Sequence, residues 1–265
     1  MKRQLSNVIS AFLLLILGLF SINQHVLAAD QKPETKSDPL RIATMDLPPY
    51  GFVDNKGKKV GSLYDVVEEV AKRSGVPYVH EIQPFSRMLQ SLKEGSVDVI
   101  SSQAHQQALD AGEKLGIIYK INVIVATRKG SGIQTLDDLK GKNFVYHFSA
   151  NYVQLEGIPR DIVRVKSYLQ AMQMLRARPE IDAAVFSEPA YYYFMNEAGF
   201  QPNDFGKVLT LEKDKDQWIF VRHGLPQSTR DRLKKAVDEV NQENTFKKMS
   251  AKYSKYSANS DATRK

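Results

Sequence analysis

The chain of 265 residues carries 37 Lys and Arg against 30 Asp and Glu, a formal net charge of +7, and no cysteine. The missing cysteine excludes a disulfide framework, thiolate metal sites and a lipid attached to a cysteine after export. The basic excess is interleaved with acids, as in Glu68-Glu69-Val70-Ala71-Lys72-Arg73, and forms no basic stripe with alternating aromatics. It therefore reads as solvated surface, and nucleic acid is excluded as a partner.

Met1-Lys2-Arg3, a short apolar core around Leu13-Leu14-Leu15-Ile16-Leu17 and the small residues Ala28-Ala29 read as a cleaved signal peptide over 1–29. The core falls short of the roughly 20 residues a spanning helix needs; an uncleaved anchor is the alternative. The mature protein is then expected in a bacterial periplasm, free in solution. After a polar lead at 30–39, residues 40–45 read as a strand and Asp46-Leu47-Pro48-Pro49-Tyr50 as an extended turn. Asp54-Asn55-Lys56-Gly57 marks a second turn. Ser62 is placed to cap a helix running to Gly75, whose apolar face is Leu63, Val66, Val67, Val70 and Ala71.

The alternation continues with a strand at 78–83, a helix at 86–94, a strand at 97–101, a less regular polar segment and an apolar extended run over 115–127. Beyond Lys129-Gly130-Ser131-Gly132, Thr135-Leu136-Asp137-Asp138 is a capping-box candidate for a short helix ending at Gly141. Strands follow at 143–146, 162–165, 181–186, 208–211 and 218–221, with helices at 168–176, 188–197 and 228–240. Such an order fits α/β architecture around mixed, mostly parallel sheets, in two lobes rather than one uninterrupted sheet. A helix, polar break and strand beginning near an acid occur in each half, at 89–98 and 172–182. The closing residues 254–265 read as a flexible tail.

Several fragments carry a resemblance by their order: Asp46-Leu47-Pro48-Pro49-Tyr50-Gly51-Phe52, Val60-Gly61-Ser62-Leu63-Tyr64-Asp65, Pro84-Phe85-Ser86-Arg87 and Leu92-Lys93-Glu94-Gly95-Ser96-Val97-Asp98. Leu136-Asp137-Asp138-Leu139-Lys140-Gly141-Lys142 and Ile181-Asp182-Ala183-Ala184-Val185 continue it. Over roughly residues 40 to 253 the chain resembles the bacterial extracellular solute-binding family 3, the polar amino-acid binding group of transport systems. The resemblance implies a two-lobed, type II periplasmic binding protein-like fold: lobe 1 from 40–126 plus 222–253, lobe 2 from 127–221. The connections are expected near 125–130 and 218–223. It further implies a monomer that closes on a small polar solute, possibly an amino acid or a related compound, and is read by an inner-membrane ABC-type permease. The alternatives are a sensory receptor as the membrane partner, or a cyclohexadienyl dehydratase-like enzyme.

Asp46, Tyr50 and Phe52 follow a strand, where open α/β sheets place their crevice, and either ring is suited to cover part of a solute. Arg87, in the first turn of a helix, is a candidate clamp for a carboxylate, with a surface pair to Glu94 as the alternative. Ser101 and Ser102, with Gln103 at the end of another strand, are candidates to donate or accept hydrogen bonds at the cleft. Phe148 and Ser149 lead into a candidate anion-binding helix start, and Glu188 is placed to meet an amine or simply to favour its helix N-terminus. The family usually carries a threonine followed by an arginine beyond the strand at 97–101, for an α-carboxylate. This chain reads Ser102-Gln103-Ala104-His105-Gln106-Gln107-Ala108-Leu109-Asp110 instead. No nucleophile–base spacing, Gly-rich phosphate loop or zinc-ligand series appears, so no catalytic residue, cofactor or metal is expected.

Overall fold

The computed structural model describes residues 38–253 apart from 149 and 151, so the expected leader, the tail and Ser149 lie outside the described residues. Strand β1 (Leu40–Met45) is buried at every position but Arg41. It sits between two parallel neighbours, β4 (Tyr78–Gln83) and β5 (Val99–Gln103). A parallel strand covered on both faces needs this near-continuous apolar run. A two-stranded hairpin, β2 (Phe52–Val53) with β3 (Lys59–Val60), turns at the expected Asp54, whose Oδ1 accepts from the Lys56 and Lys58 amides.

Two long strands organise the molecule: β6 (Glu113–Arg128) and β10 (Phe205–Val221). They pair antiparallel with each other; β10 also pairs with β5, and β6 with β9 (Ala183–Ser187). Beyond β9 lie β7 (Asn143–His147) and β8 (Asp161–Val165), giving the order β4-β1-β5-β10-β6-β9-β7-β8. Hydrogen bonding is thus continuous across eight strands, where the sequence suggests two separate sheets. Sequence pattern also breaks β10 at Glu212-Lys213-Asp214-Lys215-Asp216. In the structure this charged stretch stays in the strand, because β6 gives its backbone a partner. The pairing there shifts register twice, and Asp214 adopts a φ of 52°. Residues 120–122 of β6 and 213–216 of β10 have no third strand beside them: β5 pairs with 217–221 and β9 with 123–127.

Period-2 alternation builds the core. Phe144 and Tyr146 of β7, with Ala183 and Val185 of β9, face one apolar cluster; Val145, Ala184 and Phe186 face another that continues to Ile42, Ile100 and Ile219. Full burial of a side chain such as Phe186 contributes about 1.5–3 kcal/mol. Helix α1 (Ser62–Ser74) buries the predicted stripe and ends at Gly75 in the left-handed region. Its first residue, Ser62, does not cap: the Oγ donates to the Pro49 carbonyl at 3.2 Å, and Gly61 holds the cap position. Helix α2 (Phe85–Lys93) follows β4, and α3 (Gln106–Ala111) occupies the polar segment that sequence pattern leaves irregular. The expected helix after Thr135 is a single 3-10 turn, Asp137–Leu139. There Asp138 Oδ2 accepts from the Gln134 and Thr135 amides, the second being one half of the anticipated box, while the Thr135 hydroxyl donates to the same oxygen in place of capping an amide. Helices α4 (Tyr168–Ala177) and α5 (Glu188–Glu197) flank the β9 side, while α6 (Gln227–Gln242) and α7 (Thr245–Ser250) return to pack on α1, and α6 on β6. Among the described residues no helix is long and apolar enough to cross a membrane.

Candidate functional site

The loop after β1 is tied to the start of α1. Ser62 N donates to the Pro49 carbonyl, and Leu63 N and Tyr64 N donate to that of Tyr50, which uses amides a helix N-terminus otherwise leaves unpaired. This close approach needs Gly61: its φ is 143°, and a Cβ there would stand 2.2 Å from the Tyr50 oxygen. Fixed in this way, the buried Tyr50 hydroxyl donates to Ser187 Oγ at 2.5 Å, joining the β1 side of the sheet to the end of β9. Tyr168, at the start of α4, also hydrogen-bonds Ser187. Burial pushes the phenols of Tyr50, Tyr168 and the nearby Tyr152 upward, so all three remain protonated donors. Asp46 is exposed, its amide continuing the β1–β4 pairing through the Gln83 carbonyl.

A second group forms at the end of β5. Ser102 Oγ lies 3.3 Å from His105 Nε2, and His105 Nδ1 accepts from the Ala108 amide, capping α3. With Nδ1 an acceptor, Nε2 carries the proton and donates to Ser102. Burial first, then the positive charge of Lys215, lowers the imidazole and keeps it neutral. The Phe85 ring stands 5.6 Å from that of His105. Ser101 and Ser102 point to opposite faces of the strand. Ser101 is fully buried, its Oγ without a hydrogen-bond partner, on the face shared with Tyr119 of β6 and Gln217 of β10. Arg87 is exposed on α2, without an ion-pair partner among the described residues; Glu94 instead accepts from Gln90.

On the β9 side, Phe148 is 58% exposed just past β7, beside His147, whose Nε2 meets the Lys166 carbonyl at 3.0 Å. Phe52 packs against Tyr193 and Tyr253 rather than joining Tyr50. Glu188, the first residue of α5, is half-buried. It accepts from Asn122 Nδ2 at 2.9 Å, and Asn122 Oδ1 in turn accepts from the Asp214 amide, so one asparagine links β6, β10 and α5. Burial raises the Glu188 carboxyl, and the Asn122 bond opposes it. Glu188 also lines a cavity of about 550 Å³ with Pro49, Tyr119 and Phe246. The structure therefore brings Tyr50 to the residue beside Glu188 and sets Ser102 with His105, but leaves Arg87 and Phe148 open to solvent.

The model of the bacterial extracellular solute-binding proteins, family 3, matches residues 40–256. The chain belongs to that family. Similarity to individual family 3 proteins is more distant. A probable amino-acid-binding protein of Bacillus subtilis, YxeM, is 26% identical over 212 residues, 77% of this chain and 79% of that protein. The lysine/arginine/ornithine-binding periplasmic protein of Escherichia coli is 30% identical over 240 residues, 83% and 88% of the two chains. A solved structure of an ancestral arginine-binding protein bound to arginine superposes with a TM-score of 0.64 at 23% identity, covering 81% of this chain and 97% of that one. The fold is thus the α/β fold of type II periplasmic binding proteins, and the chain is a periplasmic solute-binding protein.

Structure adds Tyr168 to the residues that sequence singles out; for Ser187 and His105, polar residues the sequence already sets near strand ends, it adds their partners. Ser187 carries a readable signal, since it closes the apolar run Ala183-Ala184-Val185-Phe186 at a strand end. Tyr168 carries none: nothing local shows that a helix start will reach another strand.

Proposed function

We propose that this family 3 protein captures a small polar solute, an amino acid or a related compound, between two lobes, and hands it to an inner-membrane ABC-type permease. One lobe is built on β4-β1-β5 with α1–α3, α6 and α7, the other on β9-β7-β8 with α4 and α5. The observation that carries the reading is the junction. Among the described residues the ribbon of 120–122 and 213–216 runs between the two strand sets without a third strand, while Tyr50 and Ser187 meet across them. The crossings then fall ahead of the expected 125–130 and 218–223, because 123–127 is already committed to β9 and 217–221 to β5.

A ligand that touches both lobes favours the closed state by the difference between its affinities for the closed and open forms. Tyr50, Ser187, Ser102 and neutral His105 supply uncharged donors and acceptors, with Asp46 at the loop. Arg87 offers a guanidinium with no carboxylate of its own to hold, which supports a carboxylate-bearing solute clamped from α2 instead of from the segment at 104–110. Calorimetry of the purified protein against a panel of amino acids and related organic acids tests this. One site per monomer is expected, with affinity about tenfold or more weaker in Arg87→Ala, the loss of a charged hydrogen bond. Saturable binding that is indifferent to that substitution removes Arg87 as the anchor; no binding across the panel removes the proposed solute class.

A further inference from the structure

The cavity beside Glu188 lies where the two strand sets meet and is walled by several of the parts that join there. Pro49 comes from the loop after β1, Tyr119 and Lys120 from β6, Glu188 and Pro189 from the start of α5, and Phe246 from α7. Its body is apolar and aromatic: Tyr119 and Phe246 stack with ring centroids 3.5 Å apart, and Ile118, Tyr192 and Tyr253 complete the wall. About 550 Å³ is room for a small organic molecule rather than a few waters.

One polar feature points to an occupant. Glu188 is half out of water yet among the described residues accepts one side-chain hydrogen bond, from Asn122, which uses a small part of the acceptor capacity of a carboxylate. Burial already acts against its charge, a cost that a cation beside it offsets. Among the described residues neither lysine of the wall, Lys120 or Lys247, forms an ion pair with Glu188; Lys120 lies 3.6 Å from Asp216.

We propose that this cavity is a second binding site, for a small primary or secondary amine with an aromatic or aliphatic body, its ammonium on Glu188 and its body against Tyr119 and Phe246. The ammonium supplies the ion pair and hydrogen bonds that Glu188 lacks, and the rings of the wall favour a cation near their faces. The site stands whether or not the two strand sets swing. If they do, its occupant bridges Pro49 and Glu188 and so acts on the same junction as closure.

Ligand-detected NMR titrations with 2-phenylethylammonium, 2-phenylethanol and phenylacetate test the assignment. The ammonium is expected to saturate one site, with the alcohol and the carboxylate weaker by about tenfold or more. Glu188→Gln, which keeps the shape, should cost about the same factor, and Ala251→Trp, at the cavity wall, should block binding; thermal unfolding establishes that both variants are folded. Arg87→Ala should leave the ammonium unaffected. Three probes binding alike, no saturable ammonium binding, or binding that survives both Glu188→Gln and Ala251→Trp overturns the proposal. Loss in Arg87→Ala also overturns it, by placing the probe with the solute at α2.

Discussion

Two polar knots, one inside the first strand set and one at the junction, show opposite designs. Asp98, nearly buried ahead of β5, accepts from the Arg41 amide at 2.9 Å, from Arg41 Nε and Nη2 at 2.9 and 2.8 Å, and from Arg222 Nε at 2.5 Å. One carboxylate thus locks β1, β5 and the end of β10 together. At the junction, Asn122 joins β6, β10 and α5 through single neutral or singly charged bonds, in a stretch whose register slips twice. Charge-assisted, multiply bonded contacts fix geometry, whereas single bonds on an irregular two-stranded ribbon leave it deformable. The contrast is that of a rigid body and the flexure attached to it.

Removing the lock should have the largest effect. Asp98→Ala leaves two guanidinium groups without their shared acceptor and is expected to cost about 3 kcal/mol in urea unfolding, the low end for a broken buried pair because both arginines are partly solvated. The same knot sets an acid limit. Burial alone would raise the Asp98 carboxyl, but the Arg41 and Arg222 bonds outweigh it and hold it below its ordinary value. A folded-state value below the unfolded one gives stability that is present above the unfolded pKa, near 4, and lost as pH falls through the depressed value. Wild type should therefore lose stability below about pH 4, and Asp98→Ala should lack that part of the loss.

Next in size is Gly61→Ala. It forces a side chain to a φ of 143° and into the Tyr50 carbonyl, so a loss of about 2–3 kcal/mol by the same unfolding measurement is expected. Tyr50→Phe removes the bond between the strand sets at a cost of about 1 kcal/mol. Its distinctive readout is X-ray scattering, where the variant should be more extended than wild type in the absence of solute; an identical profile would mean that the bond does not hold the sets together. Smallest is Asp214→Gly, which relieves a left-handed residue in the ribbon and should stabilise by a few tenths of a kcal/mol at most, since aspartate tolerates that region better than most residues.

Much of the fold is legible in the sequence because it rests on local pattern. The stripe Leu63, Val66, Val67, Val70, Ala71 is wholly buried, and the runs at 40–45 and 183–186 are strands as their apolar continuity requires. What is not legible depends on partners distant in sequence. The charged middle of β10 is a strand only because β6 lies beside it, and Ser62 turns from capping because Pro49 offers a carbonyl. Likewise α3 is stabilised by His105 acting as its cap, a role the residue type does not advertise. In the candidate site, strand-end position finds Tyr50, Ser102 and Glu188 but not what each one meets. Strand-end position offers Ser101 and Ser102 alike as cleft contacts, but period-2 alternation sends them to opposite faces: Ser102 meets His105, whereas the Ser101 Oγ is buried.

Movement of the two strand sets is measured most directly as a distance. The native chain has no cysteine, so Leu109→Cys on α3 and Val153→Cys on the other side, both exposed in the parent, take a unique pair of spin labels. Pulsed electron–electron double resonance should show a broad or double distribution without solute that collapses to one shorter distance at saturation. A distribution unchanged by a solute whose binding calorimetry has established would contradict closure about the ribbon.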